Sequence, residues 1–366
     1  MLAVKNTINS IQALRGIAAL LVVGFHYREA LNLTFPTLGD TLFINGAIGV
    51  DLFFLISGFI TFYVANNLND GPSSSLEFIV KRICRVIPLY YIILLLSPGN
   101  TLKSLYEVGR SLLFIPLDGS QTGPMYGYAS ILVGWTLNYE MLFYALAAIA
   151  IACGRWKWAA LITIIAGLTF IPALLFGWHG LNTYIGYPFE NTYLKLATNP
   201  MLLEFLFGVF IGYVYTFKST AKHRLVWSCL LASGAGFFIY CYATGFMWGN
   251  KPLGWMIPSF FLLLSLVEYE KRFPVVWPKC ILFAGEISFS VYLLHTKLYN
   301  IVEKILKRTP IFDWDYYGLI LVAVAFVLSI LVSALTYKYI EIALSNKLKT
   351  FLLKGFNTTT RKVQTV

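Results

Sequence analysis

The segment IQALRGIAALLVVGFHYREAL, residues 11–31, decides the fold. It is an apolar run of roughly the 20 residues that a membrane-spanning helix needs. It also carries two polar residues, Arg15 and His26, eleven positions apart. At 3.6 residues per turn that spacing is about 20° short of three full turns, so the two share a helix face about 16 Å apart. Ala18, Ala19 and Val22 fall on the same face and are small enough to let a neighbouring helix approach closely. An arginine inside a span is costly and usually marks a pathway or a site. The structural alternative is that Arg15 snorkels to the headgroups.

The rest of the chain reads the same way. Of 366 residues, 58% are hydrophobic and 12% are charged, with a mean hydropathy of +0.70. A soluble domain carries about 25% charged residues. The expectation is an all-α polytopic membrane protein with about ten transmembrane helices, near 11–30, 43–65, 82–97, 129–153, 156–177, 198–217, 225–247, 252–269, 280–302 and 316–344. The segment 102–117 carries Lys103, Glu107 and Arg110 and reads as interfacial. The net charge is +11, and its bases sit in short loops. With the N-terminus inside, 17 Lys and Arg fall in inside segments and 8 outside, which predicts that both termini are cytoplasmic. That pattern argues topology, not nucleic-acid binding. Residues 1–345 are read as one membrane domain and 346–366 as a short basic cytoplasmic tail. The first run reads as an uncleaved insertion signal, because Arg15 interrupts it. The five cysteines are scattered and read as packing residues, so no metal is expected. Hydrolase, metalloprotease and P-loop signatures are missing from the sequence.

Four further segments carry candidate chemistry. In GVDLFFLISGFITF (49–62), Asp51 lies at a depth where it could approach His26, and a carboxylate beside a histidine fixes its tautomer. Ser57–Gly58 in the same span reads as a close helix contact, with a serine nucleophile as the alternative. In EFIVKRICRVIPLYY (77–91), Lys81, Arg82 and Arg85 form a basic cluster. It suits either a topology signal or phosphate contacts. In GWTLNYEMLFY (134–144), Thr136, Glu140 and Tyr144 form a polar stripe, with Trp135 and Tyr139 as an aromatic stripe beside it. A glutamate two turns inside a span should have a partner or a function. In GEISFSVYLLHTKLY (285–299), Ser288, Tyr292, His295 and Tyr299 share one face. His179 and His223 lie in loops and read as solvated.

These segments, together with EFLFGVFIGY (204–213) and KYIEIAL (338–344), stand in an order that resembles the acyltransferase-3 family of bacterial integral-membrane O-acyltransferases. The likeness runs from about residue 10 to 345. It implies a multi-pass enzyme of the inner (cytoplasmic) membrane that moves an acyl group, usually acetyl, from cytoplasmic acyl-CoA (acetyl-CoA) to a carbohydrate hydroxyl. Acceptors in the family are surface or exported polysaccharides and their lipid-linked precursors. The family's Arg-x10-His pair falls on Arg15 and His26, its membrane-embedded acid on Glu140, and its basic motif on Arg82, Arg85 and Pro88. Two positions depart from the pattern. Lys297 stands where the family commonly has proline after the ninth-span histidine, and Ile342–Ala343 stands where proline commonly follows the last motif. Some relatives carry a fused serine-nucleophile domain, and this chain is read as transferring directly or handing the acyl group to another protein.

The expected mechanism makes His26 the general base, oriented by Asp51 or Glu140, because an imidazole titrates near operating pH. Arg15 would contact the pantetheine arm, and Arg82 and Arg85 the nucleotide phosphates. Trp135, Tyr139 and His295 are further candidates for donor contact. The partners implied are the acyl-CoA donor, a carbohydrate acceptor and the bilayer, and a homo-oligomer is allowed. The competing class is a transporter or flippase for a lipid-linked glycan, in which the same buried polar groups line a pathway. The outer segments 31–42, 98–128 and 178–197, rich in Gly, Asn and aromatics, suit either a sugar site or an interfacial belt.

Overall fold

Apolar runs become helices here, and Pro36 and Gly71 mark two of the breaks between them. The computed structural model describes residues 8–96, 102–217, 223–247 and 254–363. Its α-helices are α1 (Asn9–Thr34), α2 (Leu38–Phe43), α3 (Ile48–Ala65), α4 (Pro72–Leu95), α5 (Leu102–Leu112), α6 (Trp135–Ala152), α7 (Lys157–Phe176), α8 (Thr192–Ala197), α9 (Leu202–Thr216), α10 (Arg224–Thr244), α11 (Met256–Glu270), α12 (Lys279–Glu286), α13 (Ser288–Leu306), α14 (Tyr317–Thr336) and α15 (Ser345–Val363). No strand occurs among the described residues. A helix satisfies its own backbone, which lipid cannot do.

Among the described residues, seven helical stretches are long and apolar enough to cross a membrane: Asn9–Thr34, Leu38–Ala65, Leu132–Ala152, Gly154–Phe176, Thr192–Thr216, Arg224–Thr244 and Tyr317–Lys354. The other three expected spans are helical but differ from that pattern for visible reasons. α4 carries Lys81, Arg82 and Arg85. α11 has only 15 residues. The span expected at 280–302 is divided at Ile287 into α12 and α13.

The chain forms two compact units. The first comprises residues up to Tyr63 and Leu203–Ser333. Within it α1 packs on α2, α12 and α13. Pro36 ends α1 by forcing Phe35 into an extended conformation (φ −123°, ψ 97°). Asp40 of α2 then clasps the end of α1, accepting from Arg28 Nε at 3.1 Å and Asn32 Nδ2 at 2.7 Å. Two glycine contacts let backbones touch. A Cβ on Gly16 would lie 2.8 Å from the Gly285 nitrogen of α12, and one on Gly208 of α9 would lie 2.0 Å from the Leu55 carbonyl of α3. Gly58 meets Gly208 from the other side, so the Ser57–Gly58 pair sits at a helix crossing. Ala18, Ala19 and Val22 are all buried, and the Ala18 carbonyl lies against Gly49.

The second unit comprises Val64–Leu202 and the segment after Ala334. Pro72 opens α4 directly after Gly71 (φ +110°), because its missing N–H is an orphan in the first turn anyway. α4 packs on α6, pinned where Ser75 Oγ donates to the Ala148 carbonyl at 2.5 Å. Lys157, at the start of α7, is buried, and its Nζ donates to the Ala65 carbonyl and to Asp70 Oδ1, both at 3.1 Å. The stretch expected as a polar tail is α15, a helix packed on α4. It continues α14 through a π-helical segment, Tyr337–Leu344. With Ile342–Ala343 in place of proline, nothing there interrupts the helix.

Candidate active site

In the first unit the residue facing His26 comes from α13. The ring centroids of His26 and His295 are 5.1 Å apart, at an interplanar angle of 49°. His26 is half-buried, with Phe25 edge-on at 5.2 Å and Arg28 close enough to act on it electrostatically. His295 is 0% exposed. Its Nδ1 lies 3.0 Å from the Val291 carbonyl. A carbonyl can only accept, so Nδ1 carries the proton and Nε2 holds the lone pair. That Nε2 is buried without a hydrogen-bond partner among the described residues. Tyr27 fixes the helix behind it: its hydroxyl lies 3.0 Å from the His295 carbonyl and 3.0 Å from Ser329 Oγ of α14. Tyr299 lies against Tyr27, tilted by 36° with centroids 5.1 Å apart, and Tyr292 flanks His295 at 6.2 Å. Lys297, replacing the family's proline, lets α13 run unbroken to Leu306.

Arg15 lies on the same unbroken helix as His26, half-buried, with Nη1 3.4 Å from Gln12 Oε1. Asp51 sits in the first turn of α3. Its charged neighbour is Glu204, in the first turn of α9, so the structure brings Asp51 to a second carboxyl group and not to His26. The parallel run of α3 beside α9 explains the pairing: Phe54, one turn after Asp51, stacks at 4.5 Å on Phe205, the residue after Glu204. Glu204 is 5% exposed, and its Oε2 has no partner among the described residues.

In the second unit Arg82 is a core residue, not a loop cation: it is 8% exposed. Its guanidinium lies over the rings of Phe78 (5.2 Å) and Tyr144 (4.9 Å). The Tyr144 hydroxyl donates to Glu140 Oε1 at 2.5 Å, so the expected stripe of α6 is joined there. Thr136, the third member, donates instead to the Val133 carbonyl. Glu140 and Arg85 both lie within electrostatic reach of Arg82. Arg82 Nη2 is buried and unpartnered among the described residues. An arginine in such surroundings needs counter-charge, and Glu140 supplies part of it. Trp135 and Tyr139 meet edge-to-face at 6.2 Å. The Tyr139 hydroxyl donates to the Pro124 carbonyl at 2.9 Å, tying α6 to the loop above it.

That loop and residues 177–201 fold around Tyr126. Asn199 Nδ2 donates to the Tyr126 hydroxyl (3.0 Å) and the Thr183 carbonyl (2.9 Å), and Lys195 Nζ donates to the Gly119 carbonyl (2.6 Å). On its surface, hydrogen bonds from Ser120 hold the Asp118 carboxyl below its ordinary range. Among the described residues no group of three or more His, Cys, Asp or Glu is arranged to hold a metal ion.

The sequence singled out His26 and His295 separately, and folding joins them. It missed Glu204 and Asn138. Both side-chain atoms of Asn138 are buried without a partner among the described residues, on the helix of Glu140. A glutamate opening the apolar run LLEFLFGVFIGY was the available signal for Glu204. Asn138 gave none beyond its polarity within an apolar span.

A helical chain with paired imidazoles in one unit and a buried guanidinium in the other has the parts of a membrane-embedded group-transfer enzyme. The acyltransferase-3 family model, described as an acyltransferase domain, matches residues 8–338, and the chain belongs to that family. It is an O-acyltransferase. It is similar to the exopolysaccharide production protein ExoZ of Rhizobium meliloti (strain 1021), with 28% identity over 271 residues, covering 72% of this chain and 79% of ExoZ. It is also similar to ORF330 of Acidianus two-tailed virus, whose name proposes an acetyltransferase. That match has 26% identity over 319 residues and covers 80% of this chain and 83% of ORF330.

Proposed function

We propose that this enzyme moves an acetyl group from acetyl-CoA to a hydroxyl of an exported or surface polysaccharide, or of its lipid-linked precursor. It would work in the cytoplasmic membrane, with ten spans and both termini cytoplasmic. The observation that carries the reading is His26: a half-buried imidazole inside a membrane helix of an acyltransferase. Likeness to an exopolysaccharide production protein supports the acceptor class.

In this reading His26 takes the proton of the acceptor hydroxyl as the oxygen attacks the thioester carbonyl. A neutral imidazole suits the task because general bases work best near their own pKa. Arg15 contacts the pantetheine arm. Arg82, with Arg85, holds the phosphates of the nucleotide: a fixed guanidinium pairs with phosphate oxygens through parallel N–H bonds. Glu140 orients Arg82 through Tyr144. The Trp135 ring is a further surface for the donor, whereas Tyr139 anchors the loop at Pro124.

The test is mass spectrometry of surface glycans from cells with wild-type enzyme, with none, and with His26→Ala. The expected result is loss of one acetyl mass per modified residue in the last two. Full acetylation by correctly inserted His26→Ala enzyme would remove the reading.

A further inference from the structure

The mechanism above uses His26 and leaves His295 without a task, although His295 is the more deeply buried of the two. We propose that His295 is the proton-relay partner of His26: a positioning residue that accepts, on Nε2, the proton that His26 gives up from its second nitrogen when it takes the acceptor's. The inference rests on the reading of His26 as base.

Three observations point the same way. The first is the committed tautomer: Val291 holds the Nδ1 proton, so Nε2 is the one site on the ring able to receive another. The second is the empty valence. A buried polar atom without a partner costs free energy and calls for an explanation, and catalysis is a common one. Nε2 of His295 is such an atom, in a residue with no exposed surface. The third is the spacing. Imidazole nitrogens lie about 1.2 Å from their ring centre, so centroids 5.1 Å apart admit a nitrogen–nitrogen distance of about 2.7 Å once the rings turn edge to edge, which is hydrogen-bond length. The Tyr27 hydroxyl, bridging the His295 carbonyl and Ser329, keeps α13 from sliding while the rings turn. The charged and titratable groups around the pair are Arg28, Tyr27, Tyr292 and Tyr299. Histidine here fills the place that a carboxylate holds in a hydrolase triad, and unlike that carboxylate it takes the proton.

The step balances as follows. The acceptor O–H bond breaks and its proton goes to His26. The His26 proton on the opposite nitrogen goes to His295 Nε2. The oxygen–acyl bond forms, the acyl–sulfur bond breaks, and its electron pair leaves with the thiolate. The thiolate takes up one proton, equal to the one His295 then releases, and both imidazoles return to neutral.

The test measures acetyl transfer by purified wild-type enzyme in detergent across H2O–D2O mixtures, beside His295→Gln and His26→Ala. His295→Gln keeps a polar side chain and cannot be protonated. The expected result is a bowed rate curve for wild type, two protons being in flight, and a straight line for His295→Gln. Its kcat should fall about 10- to 100-fold at unchanged KM for acetyl-CoA. A straight line for wild type overturns the relay, whatever the variant does, and needs no variant to fold. Wild-type kcat in His295→Gln overturns it as well. A fall in kcat with the bow retained assigns His295 a packing role, which also overturns it. Loss of the relay with His26→Ala still inactive leaves the reading of His26 standing, whereas an active His26→Ala removes both.

Discussion

The two buried polar clusters of this protein are built on opposite plans. At α1 and α13 the polar groups are two facing imidazoles, with His295 tied through its Nδ1 to a backbone carbonyl. At α4 and α6 a permanent cation is held in a chain, Arg82 over Tyr144 and Tyr144 bonded to Glu140. Imidazole can change its protonation near neutral pH, and guanidinium cannot. The first arrangement therefore suits proton transfer and the second suits holding an anion. The buried Lys157 makes a useful third case: its ammonium meets both a carbonyl and a carboxylate, and it serves only to fasten the 65–70 turn to α7. Lys157 has a partner on each side and fastens the fold, whereas His295 and Arg82 each keep one buried nitrogen without a partner among the described residues.

Four substitutions can break or sharpen this contrast. The largest effect is expected from His26→Ala, with a loss of about 10²- to 10⁴-fold in kcat for acetyl transfer and little change in melting temperature. An equal loss of folding stability would show that the pair is held for packing. Next, Arg82→Ala should raise the KM for acetyl-CoA by about tenfold or more, equivalent to about 1.4 kcal/mol or more of binding. S-acetyl-pantetheine, which lacks the nucleotide, should show no such change, and a matching rise with both donors would put Arg82 elsewhere than at the phosphates. Tyr144→Phe removes one hydroxyl donor to Glu140 and should lower stability by about 1 kcal/mol, read as a drop in the melting temperature of detergent-solubilised enzyme. A wild-type melting curve would mean that the chain beneath Arg82 contributes nothing. The smallest effect belongs to Lys81→Ala. Lys81 pairs with Glu77 one helical turn away, exposed at the surface, and such pairs contribute about 0.3–0.5 kcal/mol. A large loss of activity there would extend the anion site beyond Arg82 and Arg85.

Much of the fold was legible in the sequence. Apolar runs of span length, separated by Pro, Gly and basic residues, placed a helix at each of the ten expected positions within the described residues, because a membrane leaves the backbone few alternatives. Two elements were not legible. The break at Ile287 falls inside a run that composition alone reads as continuous. α15 is a polar and basic stretch, and its helicity comes from packing on α4, which no local pattern announces. Within the candidate site, spacing was enough to put Arg15 and His26 on one helix and to align Glu140 with Tyr144, since both are properties of a single helix.

What lies across from each of those residues was a different matter. Asp51 was the natural partner for His26 by depth, yet the Gly58–Gly208 crossing sets α3 beside α9 and gives Asp51 to Glu204. His295 was singled out on its own helix, and only the fold sets it facing His26. The opening stretch, residues 11–31, by itself determined a membrane helix with a polar face, because helical periodicity and the cost of polar groups in lipid act within one segment. Only the tertiary structure decided that this face meets a second histidine. Helix-to-helix partners depend on where small residues let backbones come together, and those contacts join positions more than 250 residues apart in the chain.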